Sequence, residues 1–522
     1  MDRYDGAGQG IDGTDRGFAA AIDNQGNTIV AGFSAEPLGG SYLAIKYAPD
    51  GTRLWVAAEN IAGGGVGRTM TVDDADNVIV VGSAEAGSQF GVIKYDADGN
   101  RLWTRRYDPG PSVLTTFEGV VTDATGAVYA YGNVWPNISL PWNLIVVKYA
   151  ADGTQLWDLV YPSSQGRAMA FSDGAVYVAG NKEVASNDED LLVLKVTSSG
   201  AVDWARTYGR TASFANDSAE DMAIDAFGNI VAVGTYSGNP SGVTTDVAVV
   251  RLAPDGTLLS DVAYDAPGGT HEWGRDLVLD ASGNAVVSAH LADPAGGYDV
   301  LTAKLDPTGG EIWSRAYGGF ETFTDTPQDM AIDSQGGIYV VGDVVSSELV
   351  DEYFTIKYDA AGTLEWEQRY AGATQDPSHG MAVDVSADLR VVVTGYSSNP
   401  AASSGDDDVA TVCYSQSGAV SAPVGLAGAP SLEVVPAPNP FVGSTVLALS
   451  LAESRSVTLE IFDVAGRRVR ALAGGRTSAG THVQGWDGRD DAGLPVVAGI
   501  YFVRLSAGDQ QRTVKIVKLG AN

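Results

Sequence analysis

The chain has 522 residues, and its 65 Asp and Glu against 32 Lys and Arg give a formal net charge of −33 at pH 7. A surface this acidic repels nucleic acids and anionic lipids, because proteins bind both through Lys and Arg, so neither is an expected partner. A hydrophobic content of 44% supports a sizeable core and excludes wholesale disorder, and the single cysteine, Cys413, excludes an intrachain disulfide.

The N-terminal segment has two informative features. Met1–Gly6 has neither a basic region nor an apolar region, so it shows no signal peptide, and no apolar run reaches the roughly 18–20 residues that a membrane-spanning helix needs. Arg3-Tyr4-Asp5 copies Arg106-Tyr107-Asp108, the end of a unit of the repeat described next. Two compatible interpretations follow: the N-terminal strand completes the last unit of a ring, and the chain is the remnant of a longer reading frame that has lost its signal peptide.

A repeat of about fifty residues fills most of the chain. Each unit has a first turn opened by Asp and a second turn closed by Gly, as at Asp225 and Gly256. The second-turn glycine recurs eight times, at Gly51, Gly99, Gly153, Gly200, Gly256, Gly309, Gly362 and Gly418. Four short apolar or β-branched runs per unit predict four strands joined by tight turns. The repeats therefore predict an all-β fold, an eight-bladed β-propeller over residues 1–423, with seven blades as the alternative.

Two further residue types recur at fixed repeat positions. Tryptophan follows the second glycine by four residues at Trp55, Trp103, Trp157, Trp204, Trp313 and Trp366, and this spacing predicts packing between blades. Ser260 and Ala422 replace it in units five and eight, which we expect to be more loosely packed. A basic residue on strand three, at Lys46, Lys94, Lys148, Lys195, Arg251, Lys304 and Lys357, predicts either an ion pair repeated in register or an exposed outer position.

The pattern Ala-Ile-Asp-x-x-Gly-Asn, followed by Lys-Tyr/Leu-Asp-x-x-Gly and Leu-Trp, resembles the SBBP family of bacterial β-propeller repeats over about residues 1–425. The resemblance implies a propeller fold and an extracellular location, and it implies no activity.

Long, variable links join strand two to strand three and each unit to the next, and in a propeller both kinds of link lie on the same side. Variable loops on a rigid scaffold commonly carry binding sites. The candidate ligand-binding residues there are Trp135, Trp142, His271, Glu272, Trp273, Phe320 and Phe323, with local loop packing as the alternative role.

Carboxylates supply the remaining candidates. Asp221, Asp276 and Asp329 occur in register at the start of strand one and are predicted to lie at the mouth of the central channel. Asp406-Asp407-Asp408 and Asn187-Asp188-Glu189-Asp190 could supply oxygen ligands to calcium, but neither has the spacing of a calcium loop, so solvated loop charge is the preferred interpretation. The four histidines have no metal-ligand spacing, and neither a nucleophile elbow nor a phosphate-binding loop occurs. We therefore predict no catalytic residues, no metal and no cofactor.

The repeat ends before a small-residue linker at 424–430, and about seven strand-like runs at 431–522 predict an Ig-like sandwich. Pro438-Asn439-Pro440-Phe441, Asp463–Val469, Trp486–Asp490, Gly499-Ile500-Tyr501 and Lys515–Lys518 resemble the type IX secretion C-terminal sorting domain and the FlgD-type Ig-like domain. The resemblance implies recognition by the type IX secretion machinery, followed by release or attachment at the surface.

Two functions from different classes remain open. One is a monomeric, non-enzymatic binding or adhesion protein, extracellular or on the outer-membrane surface, that captures a glycan or a protein. The other is a secreted hydrolase or lyase that acts on polysaccharide through carboxylates over the central channel.

Overall fold

A computed structural model describes the chain except residues 1, 5–13, 37–38, 62–63, 85–87, 111–113, 137–139, 186–187, 211–215, 238–243, 268–270, 294–295, 319–322, 346–349, 371–376, 399–406, 416–432, 438–444, 452–454, 464–465, 478–479, 487, 492–493, 495, 508–509 and 519–522. The described residues form two compact units, Met1–Gln416 and Ser417–Asn522. Both are built from β-strands, and no described helix is long and apolar enough to cross a membrane.

The first four sheets of the first unit each contain four consecutive antiparallel strands. In chain order these strands are β2 (Asp15–Ile22), β3 (Thr28–Glu36), β4 (Gly39–Tyr47), β5 (Arg53–Glu59); β6 (Gly65–Val72), β7 (Val78–Ala84), β8 (Gln89–Tyr95), β9 (Arg101–Tyr107); β10 (Leu114–Thr122), β11 (Val128–Trp135), β12 (Asn143–Tyr149), β13 (Gln155–Tyr161); and β14 (Ser164–Ser172), β15 (Ala175–Ala185), β16 (Asp188–Thr197), β17 (Val202–Tyr208).

The next three sheets repeat this order, and the eighth takes one strand from the N-terminus. The three sheets are β18 (Ser218–Ile224), β19 (Ile230–Ser237), β20 (Thr245–Leu252), β21 (Leu258–Tyr264); β22 (Glu272–Leu279), β23 (Ala285–Ala292), β24 (Tyr298–Leu305), β25 (Glu311–Tyr317); and β26 (Thr326–Ile332), β27 (Ile338–Val345), β28 (Asp351–Tyr358), β29 (Leu364–Tyr370). The eighth is β30 (Ser378–Val385), β31 (Arg390–Ser398) and β32 (Asp407–Ser415), with β1 (Asp2–Tyr4) at its edge.

The N-terminal strand closes the array, as its sequence predicts. β1 pairs antiparallel with β32, with Asp2 opposite Thr411 and Tyr4 opposite Val409. The first strands of consecutive sheets contact one another in a complete cycle, in which β2 contacts both β6 and β30. The eight first strands therefore form an inner wall, and such four-stranded antiparallel sheets are consistent with propeller blades.

The first turn of each sheet shows why the repeat needs its aspartate. Asp225 Oδ1 accepts hydrogen bonds from the backbone N–H groups of Phe227 (2.8 Å) and Asn229 (2.9 Å). Gly228 has a φ of 80°, a conformation that is costly for residues with a side chain. The turn is thus fixed by local chemistry, in the same way in most sheets.

The recurring basic residue of strand three forms the ion pair that was one of its two predicted roles. In six sheets it meets the first-turn aspartate: Lys46–Asp23 (2.8 Å), Lys94–Asp73 (2.8 Å), Lys148–Asp123 (3.9 Å), Arg251–Asp225 (3.1 Å), Lys304–Asp280 (2.8 Å) and Lys357–Asp333 (3.9 Å). The fourth sheet has Ser172 at the turn, and there Lys195 pairs with Asp203 (3.1 Å) instead. The buried cation is neutralised wherever the position is basic.

The recurring tryptophan joins neighbouring sheets. Its indole Nε1 donates to a backbone carbonyl in the next sheet's second turn, at 2.9 Å for Trp103 to Ala151 and 3.2 Å for Trp313 to Ala360. In the fifth sheet, Ser260 Oγ donates to Pro307 at 3.2 Å and so keeps the hydrogen bond without the ring. Ala422 lies outside the described residues.

The second unit contains seven described strands in two sheets. The first sheet has the order β33 (Glu433–Ala437), β34 (Thr445–Leu451), β37 (Gly480–Trp486), and the second β36 (Arg468–Thr477), β35 (Arg455–Asp463), β38 (Gly499–Ala507), β39 (Gln510–Lys518). Leu447 and Trp486 of the first sheet share one apolar core with Leu459, Ile461 and Val503 of the second.

Candidate functional site

A β-bulge in every first strand shapes the inner wall of the first unit. The strand-one to strand-two register skips one residue in each sheet, for example between Ala219 and Asp221 and between Gly274 and Asp276. A bulge re-aims the extra side chain. The extra residues are Phe18, Arg68, Glu118, Arg167, Glu220, Arg275, Gln328 and Met381.

Asp221, Asp276 and Asp329 directly follow these bulges, so the predicted register is present. Asp221 Oδ2 accepts a hydrogen bond from the backbone N–H of Leu277 in the next sheet (3.0 Å), and Asp329 Oδ2 accepts one from Val383 in the sheet after (2.7 Å). The carboxylates therefore fasten adjacent sheets along the inner wall, a structural role that their predicted position at a channel mouth did not include.

The three carboxyl groups also interact with each other. Burial raises the pKa of all three, and the neighbouring carboxyl of Asp276 raises the pKa of Asp221 and Asp329 further. Carboxyl groups this close share protons, because they cannot all be ionised.

A cavity of about 720 Å³, here called the larger cavity, spans the fourth, fifth and sixth sheets of the first unit. It lies on the side from which strand one begins and on which the variable links lie, here called the loop side; the opposite side, with the Asp turns, is the turn side. Its lining combines charged, hydroxyl and aromatic side chains: Arg167, Asn216, Ser218, Glu220, Thr235, Ser237, Trp273, Arg275, His290 and Tyr298.

One predicted aromatic residue lines this cavity. Trp273 stacks with His271 (centroids 5.7 Å apart, planes at 12°) and meets Tyr298 edge-on at 5.0 Å. Glu272 points the other way, because side chains alternate along a strand, and it is buried. Burial, together with the charges of Asp265 and Asp246, raises its pKa to about 7. Glu272 is therefore not among the residues that line the cavity.

A smaller cavity of about 420 Å³ adjoins the larger one. Trp142 lines it and stacks on Trp135 (5.6 Å, 15°), and apart from Pro141 the remaining lining is polar, including Gln165, Asn181 and Glu189. Asn216 borders both cavities, so the two are neighbours with a tryptophan in each, and together they are here called the loop-side cleft.

The phenylalanine candidates do not join this cleft. Phe320 lies outside the described residues. Phe323 is 38% exposed and is not among the lining residues of either cavity.

The two acidic segments that were weighed as calcium ligands, with solvated loop charge preferred, lie as follows. Asp407 and Asp408 are buried in β32, so the expectation of solvated loop charge is wrong for them. Asp407 Oδ2 accepts two hydrogen bonds from the guanidinium of Arg16 (2.9 and 2.7 Å), 391 residues away in sequence. Asp188–Asp190 begin strand β16. The described residues contain no cluster of three or more metal-ligating side chains, and Asp406 and Asn187 are outside them.

The charged lining residues Arg167, Glu220 and Arg275 were not predicted. All three occupy the extra position of a bulge. In the sequence of each unit, this position is marked only as the residue before the strand-one aspartate or its equivalent. A charge at that position alternates in sign from Arg68 to Arg275 across five units.

The FlgD Ig-like domain model matches residues 439–511, which lie in the second unit. No curated protein matches the chain at a significant level.

Similar solved structures include PorZ, a bacterial surface component of the type-IX secretion system of Porphyromonas gingivalis (12% identity, TM-score 0.34), over 96% of this chain and 81% of that one. A protein of unknown function from Bacteroides caccae is 14% identical with a TM-score of 0.32, over 56% of this chain and 93% of that one. Another, from Dyadobacter fermentans, is 14% identical with a TM-score of 0.37, over 57% and 94%. With TM-scores this low, the three likenesses assign no activity.

Proposed function

We propose that this chain is an exported or cell-surface binding protein. An eight-bladed propeller of SBBP-type repeats holds the loop-side cleft, and an Ig-like C-terminal domain directs type IX secretion and surface attachment. The observation that carries the proposal is the cleft itself, in which Trp142 and Trp273 stand among hydroxyl, amide and charged side chains.

The lining of the cleft favours a saccharide as the extracellular ligand. The apolar face of a sugar ring packs on an aromatic ring, while its hydroxyl groups hydrogen-bond to side chains such as Ser218, Thr235 and Asn181. Cavities that combine aromatic surface with a few placed polar groups are typical of small-ligand sites. Trp273 is backed by His271 and Tyr298, which fix its ring before a ligand arrives.

The alternative, a hydrolase or lyase, has weaker support. Asp221 and Asp329 already accept backbone hydrogen bonds that join sheets. Glu272 has the proton affinity of a general acid at neutral pH but is not among the lining residues of the cleft. A binding function uses the residues that do line it.

The binding proposal is tested with an array of extracellular oligosaccharides probed with the full chain. We expect binding to at least one saccharide and a loss of at least tenfold in affinity in Trp273→Ala, because the stacking surface is removed. Phe227→Ala is the matched control, since Phe227 is an aromatic residue 65% exposed in a first turn on the turn side. An array with no bound saccharide, or equal affinity in Trp273→Ala and the parent, contradicts the proposal.

The role of the C-terminal unit is tested separately. A reporter carrying a signal peptide and residues 431–522 should reach the outside of a host that has type IX secretion, and should stay in the periplasm of a strain that lacks it. Retention in both strains would leave these residues an Ig-like accessory domain without an export role.

A further inference from the structure

We propose that Arg275 makes the larger cavity of the loop-side cleft selective for acidic saccharides, by binding the carboxylate of a uronic acid. The inference rests on the proposed saccharide-binding function and adds the chemical class of the ligand.

The first support is the charge balance inside the larger cavity. Its lining contains two arginines and one carboxylate, in a protein whose net charge is −33. The carboxylate of Glu220 is already engaged, because Ser218 Oγ donates to it at 3.0 Å and Arg167 lies 4.0 Å away. Among the described residues, Arg275 is left as the cation of the cavity without an anionic partner.

The second support is the bonding state of Arg275. Among the described residues it makes no ion pair, and its Nε is buried without a hydrogen-bond partner. A buried donor without an acceptor is unusual in proteins and calls for an explanation. A guanidinium presents its N–H groups in a planar fork that matches a carboxylate, and Arg275 lines the cavity, so a ligand carboxylate there would pair with the guanidinium charge.

His290 and Trp273 line the same cavity as Arg275. Burial and the charge of Arg275 lower the pKa of His290 to about 4, so His290 is neutral at physiological pH. Binding of a carboxylate in this cavity would therefore depend on arginine and not on His290. Trp273, two residues before Arg275 on the same strand, lines the same cavity. A sugar ring on Trp273 can thus place a carboxylate substituent toward the guanidinium.

The test compares oligouronides with their methyl esters, which keep the sugar skeleton and remove the charge. The full chain is titrated calorimetrically with oligomers of galacturonate, glucuronate and alginate, their methyl esters, and sulfated galactan oligomers. We expect at least one free acid to bind at least tenfold more tightly than its ester. Arg275→Gln should lower affinity for the acid to that for the ester, while leaving the ester unchanged.

Arg68→Gln is the matched control, because Arg68 occupies the same bulge position in the second sheet, is exposed and is not a lining residue of the cavity. Equal affinity for acid and ester, with no effect of Arg275→Gln, overturns the inference while leaving saccharide binding intact. Binding of sulfated oligomers alone overturns the carboxylate as the recognised group. If no saccharide of any kind binds, both the proposed function and this inference are contradicted.

Discussion

Replacing Trp313 by alanine is expected to lower the free energy of unfolding by about 3–5 kcal/mol, as large-to-small substitutions in cores do. The indole is 6% exposed and packs directly on the second-turn glycine of the next sheet, where a Cβ added to Gly362 would come within 2.5 Å of the ring. The substitution removes this packing and leaves the carbonyl of Ala360 without its indole donor. Urea unfolding of the full chain, followed by far-UV circular dichroism, measures the effect.

Ile312→Ala is the matched control for this experiment. Ile312 precedes Trp313 on β25 and is 50% exposed, so its truncation should change stability by no more than about 0.5 kcal/mol. An unchanged urea midpoint for Trp313→Ala would show that the ring is a surface feature.

Asp73→Asn is expected to destabilise the protein by about 3 kcal/mol, because it leaves the buried ammonium of Lys94 without its counter-charge. Lys94 and Asp73 lie 2.8 Å apart, with side chains 3% and 4% exposed. Asparagine keeps an oxygen that can accept the turn hydrogen bonds from Ala75 and Asn77, so the substitution removes mainly the charge.

Asp96→Asn controls for the turn chemistry. Asp96 opens an exposed turn with the same bonds to Asp98 and Asn100 but without a lysine partner, and its substitution should cost less than about 1 kcal/mol. Equal losses in the two variants would show that the ion pair adds nothing beyond the turn.

The stability lost in Asp73→Asn is expected to depend on pH, with a sign set by the pKa of Asp73. Burial raises the pKa of Asp73, but hydrogen bonds from Lys94 and Asn77 outweigh it, and the net pKa is lowered from 3.8. Stability from this group is therefore present above pH 3.8 and is lost as the pH falls through the lower folded-state pKa. The difference in free energy of unfolding between the parent and Asp73→Asn should be largest at pH 7 and should shrink below pH 3.8, as urea unfolding at each pH would show.

The repeat positions were the most predictable part of the molecule. A lysine that recurs among apolar residues of a strand must be neutralised if the strand is buried, and the first-turn aspartate recurs with it, as Lys46 and Asp23 show. The pairing of Asp2–Tyr4 with β32 was predictable for a similar reason, since the segment copies a strand that the last unit lacks.

The charged lining of the cleft was not predictable in this way. A β-bulge is a property of the pairing between two strands, so no local sequence signal shows that Arg275 is the extra residue and Asp276 the one that rejoins the ladder. The opposite positions of buried Glu272 and cavity-lining Trp273 were predictable, because successive side chains of a strand point to opposite faces. The burial of Asp407 could not be predicted, because its partner, Arg16, lies 391 residues away in the sequence.

Hydrogen–deuterium exchange of the full chain, with and without a saccharide selected from the array, tests most directly whether the loop-side cleft is the binding surface. We predict slower exchange on saccharide addition in peptides that cover 216–220 and 272–275, which contribute Asn216, Glu220, Trp273 and Arg275 to the larger cavity. Peptides that cover the turn-side segments 225–229 and 280–284 should exchange at unchanged rates. Protection confined to those turns, or to 433–518, would contradict the assignment of the cleft.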